Sequence, residues 1–502
     1  MNFVNSQLFL DVQLSGLFAD SKTFADAKAK KTWQYACQCY EKLGPLQDKA
    51  LYAFVIDNFI FESVELPDAK INTASVSDYI TDLWPYLSRE ADKPQSSSLL
   101  PLTHSYTVPG GRFQEIYYWD SYFTSLGLED IGDIASIEAM IFNFIDLQKR
   151  NGCIPNGNRA YYSSRSQPPV LALMVDLVWQ AKHRDNMNTQ WLSQCVVALE
   201  QEYAFWMQGS EQLSDKMPAH KRVVRMANDA LLNRYWDDEA TPRPESLRED
   251  LHDASLLPES ERADYFRNIR AACESGWDFS RRWLADTNLT SIQTTDIIPV
   301  DLNSLLYNLE NQLAVYFGEL NNSQKQVYFN HKATQRKKAI NTYLWDPSHY
   351  FFVDYNIRQK QYSPILSLAA VVPLFVKCAD EEQAHCVKQI LMQDFLKPGG
   401  LVTTLCDTSQ QWDSPNGWAP LQWFAVQGFK HYDFEKEATS VMHNWLGMIE
   451  MRFSADSCLL EKYNVCEPDN RAGGGEYSVQ QGFGWTNGVT SRFYRLVFLA
   501  GS

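Results

Sequence analysis

The chain has 502 residues, 45% of them hydrophobic and 13% aromatic, and a net charge of −16. That charge argues against nucleic acid or an anionic membrane as a partner, and no apolar run approaches the ~20 residues that span a bilayer. The length allows several domains or one large one.

The chain opens with MNFVNSQLFLDVQLSGLFADSKTF, which lacks a basic start ahead of an apolar run, so no secretory signal is expected. Ten scattered cysteines, with only Cys37 and Cys39 close together, fit neither a zinc ribbon nor a redox CxxC pair. Free thiols in the cytoplasm are the expectation. Residues 1–70 mix polar, irregular chain with helical or extended pieces at 33–43 and 49–60, and read as an arm laid on a main domain of residues 71–502. A short helix is expected at 79–87 and a serine-rich connector at 94–100.

From there, apolar residues at three- and four-residue spacing predict helices at 134–150, 170–182, 190–207, 302–320, 324–344, 365–379, 381–396, 417–431, 435–452 and 488–500. Strand-like alternation is confined to pieces such as 350–355. Many of these helices are apolar on more than one face, as elements buried between an inner and an outer ring would be. The expected fold class is therefore all-α, a toroid of helical hairpins.

The chemistry concentrates between the helices. The string PGGRFQEIYYWD (109–120) reads as a tight loop that presents a guanidinium fork on Arg112, flat faces on Tyr117, Tyr118 and Trp119, and a hydroxyl acceptor on Asp120. Those are groups a sugar needs, and a structural Arg–Glu pair with an aromatic corner is the alternative. QWDSPNGWAP (411–420) again sets Trp and Asp among turn formers. NGNRAYYSSRSQ (156–167) and TPRPES (241–246) are polar loops rich in arginine and amides.

In ESGWDFSRR (274–282), Asp278 stands between an indole and a phenyl ring, surroundings that raise a carboxyl pKa and suit a proton donor. Its alternative is a helix cap, or a salt bridge to Arg281 or Arg282. Late in the chain come Glu461 in LLEKYNV and Glu476 after the glycine run 473–475. That run lacks a P-loop lysine and reads as a lid over a sugar or as a plain flexible loop. Nine histidines show no HExxH spacing, and neither a metal nor another cofactor is expected.

PGGRFQEIYYWD and QWDSPNGWAP resemble the two signature strings of the trehalases, glycoside hydrolase family 37, which split α,α-trehalose into two glucoses. Similar strings run from about residue 100 to about 490, DSKTFAD (20–26) resembles another near the family's start, and the likeness is greatest to the bacterial cytoplasmic branch. The resemblance implies an (α/α)6 barrel and inverting hydrolysis with Asp278 as general acid and Glu461 as general base. It implies substrate contacts from Arg112, Trp119, Asp120, Asn156, Arg165, Ser166, Gln167, Arg243, Glu245, Gly276 and Glu476, with Gln411, Trp412 and Asp413 completing the wall. Asn464 and Cys466 depart from the residues usual in their loop. The expected partner is the disaccharide alone, bound by a monomer. Competing readings are a related hydrolase of another glucoside such as glucosylglycerate, a phosphorylase, and a non-catalytic sugar-binding protein.

Overall fold

Every residue from Tyr118 to Leu128 is buried, the polar ones included, so the helix that starts there has no solvent face. In the computed structural model, which describes residues 3–61 and 75–501, that helix belongs to an inner ring. Among the described residues, twelve helices alternate outer and inner along the chain. They are α1 (Val76–Leu87), α2 (Tyr118–Asp130), α3 (Ile134–Asn151), α4 (Leu171–Val178), α5 (Thr189–Trp206), α6 (Val300–Glu319), α7 (Ser323–Tyr343), α8 (Val372–Phe375), α9 (Glu381–Ile390), α10 (Ala419–Lys430), α11 (Glu435–Asp456) and α12 (Gly484–Gly501).

The even-numbered helices pack in a closed circle, α2 on α4 and so on round to α12, which returns to α2. The odd-numbered helices cover them, with α3 on α2 and α4, α5 on α4 and α6, α7 along α6, α11 along α10 and α1 against α11 and α12. This is the all-α (α/α)6 toroid.

Outer helices show the pattern that makes them legible. α7 buries Phe329, Ala333, Arg336, Ala339 and Ile340, one stripe at three- and four-residue spacing. Side-chain caps set their starts: Asp133 for α3, Asn188 for α5, Asn322 for α7, and a reciprocal Asp380–Gln383 box for α9.

Three expectations are corrected. The helix expected over 365–379 is a 3-10 turn, Leu368–Val371, running into the four-residue α8. Pro373 supplies no N–H and Lys377 turns left-handed at φ 57°, and together they stop propagation. The string 109–120, expected to be loop throughout, is loop only to Tyr117, because α2 begins at Tyr118. Two further helices were unforeseen, Gln7–Ser15 and Glu259–Ser275. The first is capped by Ser6 and closed by Gly16 at φ 71°.

The 350–355 alternation gives only the two-residue strands Phe351–Phe352 and Tyr355–Asn356. The arm residues form a second hydrophobic cluster around Phe9, Phe24, Tyr40 and Val55. It takes in Tyr117, Tyr161, Tyr162 and Leu247 from the ring side. The expected arm boundary at residue 70 lies outside the described residues. Loops that lead into the N-termini of α2, α4, α10 and α12 all reach one cavity at the end of the ring.

Candidate active site

Gly110 and Gly111 take φ 107° and 56°, and a Cβ on Gly111 would stand 2.4 Å from the Gln480 side chain. Only glycine lets the 109–117 loop lie this close to the segment before α12. Arg112 is fixed there, its main-chain N–H donating to Gln480 Oε1 at 2.7 Å. Its guanidinium lies 4.8 Å from the Tyr477 ring centroid and 3.8 Å from Asp20 Oδ2.

The first turn of α2 then delivers Trp119 and Asp120. The Trp119 main-chain N–H donates to Gln167 Oε1 at 3.0 Å, which ties the loop before α4 to α2. Gly276, at φ 76°, passes under the Trp119 indole so closely that a Cβ would lie 2.9 Å from it.

Asp278 follows on that glycine's turn. Neither neighbouring arginine is available to it: Arg282 is held by Asp301 and Asp354 at 2.7 and 2.6 Å, and Arg281 donates to the Leu284 carbonyl. The salt-bridge alternative is thereby removed. Burial, with the Glu476 and Glu461 carboxylates adding to it, outweighs the Arg243 charge and pushes Asp278 up to about 7. The wall beside it is a stack of indoles, with Trp277 on Trp412 at 5.3 Å and Trp412 on Trp418 at 3.9 Å.

Glu461 is held differently. Tyr477 Oη donates to Oε1 at 2.8 Å and the Gln480 N–H to Oε2 at 3.4 Å. Its main-chain N–H and carbonyl are both engaged, by the Gln480 carbonyl and Trp485 Nε1, each at 2.9 Å. Burial raises its pKa, against Lys462, Tyr477, Gln480 and Arg112, which favour the ion. Asp120 is raised well above the usual range by burial, with Glu461 and Asp278 adding repulsion. Three buried carboxyl groups thus share one field.

Arginines frame them. Arg165 Nη2 pairs with Glu245 at 2.6 Å. Arg243 Nη2 lies 2.6 Å from Asp250 and 2.9 Å from Glu476. Burial pushes Glu245 up, but the Arg165, Arg243 and Arg270 charges outweigh it and leave its pKa low.

Asn156, Arg165, Gln167, Arg243, Glu245, Gly276, Glu476, Gln411 and Trp412 line the cavity together with Arg112, Trp119, Asp120, Asp278 and Glu461. Two expected wall residues do not. The Ser166 main-chain N–H donates to Glu274 Oε1 at 2.9 Å, which fixes Ser166 behind the lining. Asp413 is saturated by Ser280 Oγ, the Arg281 N–H, Thr404 Oγ1 and Thr408 Oγ1, so it braces the Asp278 segment instead of facing the cavity.

Sequence reasoning missed Tyr477, Trp418, Phe483 and Trp485, which also line it. The usable signal was their place beside Glu476 and inside the glycine-rich and QWDSPNGWAP strings. Asp20 from the arm stands at the rim. Among the described residues, no group of three His, Cys, Asp or Glu side chains is arranged to hold a metal ion.

The sequence profile of the trehalases matches residues 17–497. The chain belongs to the trehalase family. It is therefore a glycoside hydrolase of trehalose catabolism. Neutral trehalase Nth1 from Saccharomyces cerevisiae is 26% identical over 78% of this chain and 73% of that one, with a TM-score of 0.64. An uncharacterized conserved protein from Thermus thermophilus is 16% identical over 84% of this chain and all of that one, with a TM-score of 0.57. A GH63 mannosylglycerate hydrolase from the same organism, solved in complex with glucose, is 14% identical over 84% of this chain and 100% of that one, with a TM-score of 0.55. The last two share the toroid with this trehalase-family chain, and at that identity the likeness is one of fold.

Proposed function

We propose that this trehalase-family enzyme hydrolyses α,α-trehalose to two glucoses by a single inverting displacement. Asp278 gives its proton to the bridging oxygen, and Glu461 draws a proton from a water on the opposite face of the ring. The observation that carries this reading is the pair of buried carboxyl groups on separate loops of one cavity. Asp278 is free of ion pairing to its arginine neighbours and holds its proton up to about pH 7, while Glu461 accepts from a hydroxyl and an amide that stabilise its ionised form. Pairs of acids pushed apart in this way divide acid from base work.

Arg112, Trp119, Asp120, Asn156, Arg165, Gln167, Arg243, Glu245, Gly276 and Glu476 orient the two sugars, with Ser166 supporting them from behind. The arginines also offset the negative charge that the chemistry requires. Residues 1–70 act as an arm that completes the rim, and 71–502 as the catalytic domain. The ten cysteines are all free, which supports a cytoplasmic enzyme. We take it to work as a monomer without a cofactor.

Glucose release from trehalose, measured beside glucosylglycerate, maltose and sucrose, tests the reading. Trehalose should be preferred in kcat/KM by at least about 100-fold, since arginines and carboxylates left unpaired by a wrong sugar reject it strongly. Preference for glucosylglycerate would favour the related hydrolase. Trehalose binding without glucose release would favour a sugar-binding protein.

A further inference from the structure

Lys462 is fully buried, and its chain neighbour is the base. An ammonium there needs partners, because an unpaired buried charge is costly. It donates to Gln411 Oε1 at 2.6 Å and to the Gly474 carbonyl at 3.1 Å, with its Nζ 5.2 Å from the Trp418 ring centroid and 5.8 Å from that of Tyr477. Gln411 uses its other end on the acid, since Nε2 donates to the Asp278 main-chain carbonyl. Asn416 Nδ2 adds a second tie, donating to the Gln411 carbonyl at 3.0 Å and the Gly473 carbonyl at 2.8 Å.

The glycines are shaped for this contact. Gly474 and Gly475 stand at φ 78° and 89°, and a Cβ on either would lie 2.5 Å from the Ser409 carbonyl or 2.7 Å from Gln411. One ammonium therefore joins the segment of the acid, the segment of the base and the glycine loop that carries Glu476 and Tyr477.

We infer that Lys462 is a positioning residue, a clasp that through Gln411 holds the 473–477 loop closed against both catalytic segments and keeps a positive charge beside Glu461. The inference rests on Glu461 being the base. The charged and titratable groups facing Glu461 are Lys462, Arg112 and Tyr477 on one side of the balance and the carboxyl groups of Asp120 and Asp278 on the other. With the ammonium gone, Arg112 is left as the facing cation. Glu461 then holds its proton to higher pH, and the acid limb of the kcat/KM profile moves up.

The test uses the full chain with Lys462→Met and Gln411→Met, each checked by circular dichroism and thermal melting. Lys462→Met should lower kcat at least about tenfold with KM changed less than about threefold, and should raise the acid limb by at least about half a pH unit. Gln411→Met should lower kcat without moving that limb. Trypsin should cut after the exposed Arg471 several-fold faster in both variants, because the loop has lost its tie.

A folded Lys462→Met enzyme with wild-type kcat, an unmoved limb and unchanged cleavage overturns the inference. If Lys462→Met does not fold, Gln411→Met decides alone: kcat within about twofold of wild type together with unchanged cleavage rejects the clasp. The proteolysis arm needs no turnover, so it judges the clasp even if Glu461→Gln shows the base to be a different residue.

Discussion

Asp278→Asn lowers kcat on trehalose by at least about 100-fold, the span a general acid typically supplies, while circular dichroism and melting stay those of a folded chain. The amide has the carboxyl's shape but no proton to give. In the wild type the working form is the protonated one, so turnover falls as pH rises through about 7, and that limb disappears in the variant.

The same shift has a stability sign. Asp278 starts from 3.8 and rises to about 7 in the fold, so between those values the native chain holds a proton that the unfolded chain has released. Native stability contributed by this group is therefore lost as pH climbs through that window. At pH 8 the asparagine variant, with no charge to bury, should melt no lower than wild type. A substrate that needs no acid separates roles further. α-Glucosyl fluoride loses fluoride without protonation, so Asp278→Asn should recover much of its rate on it. A variant that keeps more than about a tenth of wild-type kcat on trehalose would remove Asp278 from the role.

Glu461→Gln should lose a comparable factor, at least about 100-fold in kcat, and should lose it on α-glucosyl fluoride as well, because water must still be deprotonated whatever the leaving group. The glutamine keeps an oxygen for the Tyr477 hydroxyl, which donates at 2.8 Å in the native site, so the loss reports missing basicity and not a collapsed loop. The contrast between the two variants on the fluoride is the informative readout. Recovery by Glu461→Gln with none by Asp278→Asn would exchange the two assignments.

Much of this was legible in the chain because outer helices keep one apolar stripe and a cap. α3, α5, α7 and α11 announce themselves in this way. α2 does not, since eleven consecutive residues from Tyr118 are buried and no polar face sets a period. α8 is invisible for the opposite reason, four residues in an apolar run with a proline inside.

The site followed the same logic. Asp278, Glu461 and Arg112 sit in strings whose turn formers and aromatics mark them. Asp250 grips Arg243 from seven residues on, and burial lifts Asp250 to about 6 in spite of that pairing. Lys462 finds Gln411 across 51 residues of chain. Such partners are created by folding alone. Ser166 and Asp413 looked equally suited to the wall, and only the hydrogen bonds of Glu274 and Ser280 show why they turn away from it.

The central claim is a single displacement by water between a separate acid and base. Trehalose joins two α-anomeric carbons, so inversion at the attacked carbon leaves one β-glucose and one α-glucose. That outcome needs the two carboxyl groups about 6.5–9.5 Å apart with room for a water, whereas a nucleophile requires a spacing nearer 5 Å. Proton NMR of the anomeric signals in the first minutes of reaction, before mutarotation mixes them, reads this directly. Equal initial amounts of α- and β-glucose are predicted, and two α-glucoses per trehalose would contradict the mechanism and recast Glu461 as a nucleophile.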